Sequence, residues 1–155
     1  MKLWPGHESI RLAPDGGRGR LVGLAIVFLW FLIGGIAHFV ATEAEMRIVP
    51  PAVPWPRAVV LVSGVFELLG AAGLLWRPTR RAAGVGLFVL TVAVTPAHFY
   101  MLQRPELFGV PYWALVLRLP VQVALLALIA WSTAPVPPQR ACVRPPSTTS
   151  VEPTT

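Results

Sequence analysis

The stretch Ala58–Trp76, AVVLVSGVFELLGAAGLLW, decides the fold class. Its length is close to the ~20 residues a helix needs to cross ~30 Å of hydrocarbon at a rise of ~1.5 Å per residue. A transmembrane strand would alternate apolar and polar side chains over about 10 residues, whereas here nearly every position is apolar. A helix also satisfies its own backbone in lipid. Inside the run stand Ser63, Glu67 and Gly70, spaced by four and three, so they share one helical stripe.

Three comparable runs surround it: Leu21–Ala41, Ala82–Leu102 and Tyr112–Ser132. The first is too long for the roughly 7 to 15 apolar residues of a signal peptide, and no convincing cleavage site follows. The expectation is therefore an all-α integral membrane four-helix bundle over residues 21–133. Residues 1–20 read as a flexible cytoplasmic segment. Residues 134–155, rich in Pro, Ser and Thr, read as a disordered cytoplasmic tail.

Composition agrees with lipid as the solvent. Of 155 residues, 55% are hydrophobic and 13% charged, with a mean hydropathy of +0.64. A soluble domain carries about 25% charged residues. These values exclude a disordered chain, a disulfide-stapled module and an ordinary cytosolic enzyme. Cys142 is the lone cysteine, so no intrachain disulfide, CxxC pair or multi-cysteine metal site exists.

The +6 formal charge sits in clusters between apolar runs, not along a stripe interleaved with aromatics, so nucleic acid is not a partner. Lys2, Arg11, Arg18, Arg20, Arg77, Arg80, Arg81, Arg140 and Arg144 fall on one side of the spans, against Arg47, Arg57 and Arg104 on the other. Positive-inside bias then places both termini in the cytoplasm. Trp55, Tyr100, Tyr112 and Trp113 mark the outer edges, with Trp76 and Trp131 at the inner ones, as interfacial rings do. Trp30, at mid-span, reads as a packing residue. The outer loop Thr42–Arg57 holds Pro50, Pro51, Pro54 and Pro56 beside Ile48 and Val49, and is expected to lie over the bundle mouth as a stiff cap.

Each helix carries a polar or small stripe: Gly34 and His38; Ser63, Glu67 and Gly70; Thr91, Thr95 and His98; Arg118 and Gln122. Four stripes converge most simply on one interior. By helix rise, Glu67 lies roughly 13 Å and Arg118 roughly 9 Å below the outer boundary, with His38 and His98 at about 5 to 6 Å. Ser63, Glu67, Thr95, His98, Arg118 and Gln122 thus outline an outer-facing pocket, and Glu67, His98 and His38 are its candidate proton carriers.

A charge near a helix centre costs about 2.5 to 3.5 kcal/mol, so Glu67 and Arg118 are expected to pair. Proton or ligand handling and a register-fixing ion pair both remain open readings. His38 and His98 admit haem ligation, a metal site or hydrogen bonding; without Cys or a second carboxylate, the ligand requirements favour the last, and no metal is assigned. Pro96 and Pro120 should free the carbonyls of Val92 and Val116. Gly64, Gly70, Gly73, Gly84 and Gly86 read as helix-packing positions. No nucleotide loop, zinc-protease or hydrolase motif occurs, so whether the chain is an enzyme stays open.

These motifs together resemble a DoxX-like membrane protein. The likeness rests on His38-Phe39, on Ile48-Val49-Pro50-Pro51 with Pro54, and on Ser63 to Gly70 followed by Gly73-Leu74-Leu75. It continues through Pro78 to Ala83, Pro96-Ala97-His98 and Arg118-Leu119-Pro120-Val121-Gln122, covering roughly residues 20 to 132. At His98 many relatives would carry Asn. The resemblance implies a multi-pass protein of the bacterial plasma (inner) membrane, tied to a quinone-linked respiratory system, with quinone as ligand and an oxidoreductase facing the periplasm as partner. Two other expectations stand beside it: a non-catalytic assembly or stress-protection partner, and a small-solute transporter, which the lack of an inverted repeat disfavours. A homo-oligomer is compatible with all three.

Overall fold

The computed structural model describes residues 16–135. Among these, all regular structure is helical: α1 (Gly16–Val40), α2 (Thr42–Met46), α3 (Pro56–Leu75), α4 (Arg80–Ala93), α5 (Thr95–Gln103) and α6 (Tyr112–Thr133), with a 3-10 turn at Pro105–Leu107. Four stretches are long and apolar enough to cross a membrane: Gly17–Val40, Pro56–Leu75, Arg80–Gln103 and Tyr112–Thr133. The protein is a multi-pass helical bundle suited to a lipid bilayer.

Two expectations change. Residues 16–20, assigned to the flexible segment, begin α1. They are held there because Arg20 Nη2 donates to the Trp131 carbonyl at 3.0 Å, and because a Cβ on Gly23 would lie 3.0 Å from the Trp131 ring. The third span is two helices, not one, broken at Val94. Pro96 lacks the N–H that would bond the Val92 carbonyl, and its ring crowds that turn. Pro120, by contrast, is carried within an unbroken α6. Lys2, Arg11, Arg140, Cys142 and Arg144 lie outside the described residues.

The helices form a closed ring: α3 packs on α1 and α4, and α6 packs on the same two, leaving α3 and α6 on a diagonal. The most extensive seam is α1 against α3. A Cβ on Gly64 would lie 2.7 Å from His38 Cβ and 3.2 Å from the Gly35 carbonyl, so only glycine permits that approach.

Both described ends lie at one pole of the bundle, beside the α3–α4 turn, since Gly84 of α4 abuts Thr133 of α6. This basic pole carries Arg18, Arg20, Arg77, Arg80 and Arg81. Its turn is tied down by side chains that satisfy the last carbonyls of α3: Thr79 Oγ1 donates to Gly73 O at 2.8 Å and Arg80 Nε to Leu74 O at 3.0 Å. The apolar core, including Leu24, Val27, Phe31, Leu74, Leu87 and Ile129, fills the half of the bundle nearest this pole.

The opposite pole is capped by α2 and the proline loop. Thr42 Oγ1 donates to His38 O at 2.7 Å, closing the end of α1. Trp55, the residue before Pro56, adopts φ 52° and ψ 58°. A left-handed conformation is strained for a bulky residue, and here it turns the loop into α3, whose first position is the proline.

Candidate functional site

A cavity of about 630 Å³ occupies the capped half. Ile48, Val49, Pro50 and Val53 of the loop line it, so the stiff cap does lie against the mouth. Ser63 and Glu67 from α3, His98 from α5, and Arg118 and Gln122 from α6 border it, as does His38 from α1, whereas Thr95 does not. Thr95 reaches it through Gln122.

That link follows from the helix break. At the end of α4 the cap N–H groups bond Leu90 O and Val92 O. Thr91 O accepts Gln122 Nε2 at 2.9 Å, and the same amide nitrogen donates to Thr95 Oγ1 at 2.6 Å. Thr95 Oγ1 in turn donates to Thr91 O at 3.3 Å. A carbonyl can only accept, so this network fixes which way the Gln122 amide faces. Its Oε1 is left buried without a partner, on a side chain only 7% exposed.

Glu67 stands against Gly34, where an added Cβ would lie 2.8 Å from Oε2. The absent side chain on α1 is what admits the carboxylate. The expected ion pair with Arg118 is not formed. Glu67 Oε2 is buried without a partner, and Arg118 Nη1 points at Met101 Sδ, 3.8 Å away. Among the described residues the one ion pair is the exposed Arg104–Glu106 contact at 4.0 Å. The reason is the ring order: α3 and α6 face each other across the cavity instead of packing side by side.

His38 Nδ1 lies 3.0 Å from Gly34 O, to which it must donate, leaving Nε2 as an acceptor. His98 Nδ1 is buried without a hydrogen bond of good geometry. Its ring lies within reach of the Gln122 amide. Thus Glu67 Oε2, His98 Nδ1 and Gln122 Oε1, the unpartnered buried side-chain atoms among the described residues, belong to three residues around one cavity.

Sequence reasoning missed Glu45, which borders the cavity from the cap, and Met101, which receives Arg118. An acidic residue beside an apolar, proline-rich cap was the available signal for Glu45. Met101 carried none. Trp30 is half exposed and lines the cavity, so it is not simply a packing residue. Among the described residues no three His, Cys, Asp or Glu side chains gather as a metal set.

Fold and site together define a small helical membrane protein with a polar intramembrane cavity. Residues 26–134 match the family model described as Domain of unknown function (DUF8561), and the chain belongs to that family. No curated protein and no solved structure matches the chain.

Proposed function

We propose that this protein is a small redox- or respiration-associated membrane subunit whose cavity receives the polar head of a quinone-like, lipid-soluble ligand. The observation that carries this reading is the gathering of the buried, unpartnered polar atoms of Glu67, His98 and Gln122 around one cavity of about 630 Å³. Unsatisfied polar groups are costly in lipid, and intramembrane ionisable residues mark ligand or proton pathways by default. The cavity is large enough for a ring and the start of its tail. In this reading Glu67 takes or relays a proton, Arg118 contacts a ligand oxygen, and His38 and His98 connect the cavity to the surface. The resemblance to DoxX-like proteins implies the same redox association.

The capped pole faces outward in this proposal, with both termini in the cytoplasm of a bacterial cell, because the basic pole should stay inside. With Cys142 replaced, a cysteine at position 106 should react with an impermeant reagent added to intact cells, and one at position 80 should not. The reverse pattern overturns the orientation.

Mass spectrometry of the protein extracted gently in native lipid tests the ligand. A bound quinone in the wild type, lost in Glu67→Leu, is the expected result. A stoichiometric protein partner with an empty cavity would replace this reading with the assembly role.

A further inference from the structure

We infer that the cavity selects ligands whose head group donates hydrogen bonds, a hydroxyl on an apolar body, over heads that only accept. The inference rests on the ligand reading above and narrows it: of a quinone-like head, the reduced, hydroxyl-bearing form is the one favoured.

Most donors on the cavity wall are already engaged by the protein's own chain. Ser63 Oγ donates to its own backbone at Val60 O, 2.8 Å away, and Thr91 Oγ1 to Leu87 O at 2.7 Å. Thr95 Oγ1 is committed to Thr91 O, and Gln122 Nε2 to Thr91 O and Thr95 Oγ1. A primary amide has two N–H groups, and both are used. His38 Nδ1 is committed to Gly34 O. The polar wall has therefore turned its donors onto its own chain.

Acceptors are what remain. Glu67 Oε2 has no donor. His38 keeps a free Nε2. His98 follows from Gln122: the two are within reach of each other, and an Oε1 that can only accept favours the proton on Nδ1 of the ring beside it. That tautomer presents Nε2 as another acceptor. Gln122 is thus a positioning residue, held by the carbonyl that the α4–α5 break exposes. Arg118 is the exception on this wall: its Nη1 is turned toward Met101, and its remaining N–H groups are the donors left for a ligand oxygen. A hydroxyl placed here can give to these acceptors and still receive from Arg118, whereas an ether or carbonyl oxygen can only receive.

The test uses the full-length protein in lipid nanodiscs with three probes: a long-chain alkylphenol, its methyl ether, and a quinone with the same alkyl chain. The phenol should bind about tenfold more tightly than the ether, the upper range of one net hydrogen bond. In His98→Phe that ratio should fall below about threefold, again on the scale of one lost hydrogen bond. Nitrogen-15 NMR of labelled histidine, assigned with His98→Phe, should find His98 protonated at Nδ1 in wild type. Equal binding of phenol and ether, or a proton on Nε2 of His98, overturns the inference. If the quinone binds while phenol and ether do not differ, donor selection fails and the ligand reading survives. If no probe binds, both fail.

Discussion

The two halves of this bundle use the same four spans in opposite ways. Toward the basic pole, Val27, Leu87 and Ile129 are almost wholly buried, and Leu87 fills the space that a side chain on Gly70 would need. Toward the capped pole the helices enclose about 630 Å³ and surround it with Glu67, His98 and Gln122. Dispersion contacts between closely packed side chains hold helices together in lipid, where no hydrophobic effect drives them inward. One half can therefore supply the packing while the other stays open. The difference teaches that the polar residues do not hold the bundle closed, since their partners are largely their own backbone.

Truncating the packed half should show the largest effect. Leu87→Ala is expected to lower stability by about 2–5 kcal/mol, read as reversible unfolding in detergent micelles. Leu117→Ala, on a cavity-lining residue that is 52% exposed, should cost less than about 1 kcal/mol. Equal losses would mean that the halves do not differ.

The seam that joins the halves comes next. Gly64→Leu would force α1 from α3 at the His38 turn, and overpacking of this kind costs about 1–3 kcal/mol. Unchanged stability would show that the α1–α3 approach is looser than 2.7 Å implies.

A smaller loss is expected in the polar half. Gln122→Leu removes the donor to Thr91 O and should cost about 1 kcal/mol, with faster amide exchange around Val94. A loss as large as that of Leu87→Ala would make the network a main support of the fold.

The smallest expected effect concerns the two intramembrane charges. Because Glu67 and Arg118 face each other without pairing, the double change Glu67→Gln with Arg118→Leu should equal the sum of the single changes to within about 0.5 kcal/mol. A coupling above about 1 kcal/mol would restore the ion pair expected from depth alone.

That last case shows where sequence reasoning stopped. Helix rise puts Glu67 and Arg118 at compatible depths, but depth is one coordinate of three. Whether two stripes touch depends on which helices are neighbours around the ring, and a run of apolar residues does not encode that order. The proline cap against the cavity was legible, because fixed φ angles and an apolar Ile48-Val49 pair leave few other places for that loop. The break at Val94 was half legible: Pro96 announced a freed carbonyl, yet Gln122 finds Thr91 O, one residue from the carbonyl expected.

Hydropathy runs of about 20 residues determined by themselves that the chain has four helical spans of membrane length, because lipid leaves a backbone no other way to satisfy its own polar groups. The i, i+3 and i+4 spacing likewise determined which polar side chains share a stripe. The tertiary structure alone decided that α3 and α6 stand on a diagonal, that Gly34 makes room for Glu67, and that Gln122 commits both its donors to Thr91 O and Thr95 Oγ1. Those outcomes depend on contacts between residues far apart in the chain, where close packing, not local periodicity, selects the arrangement.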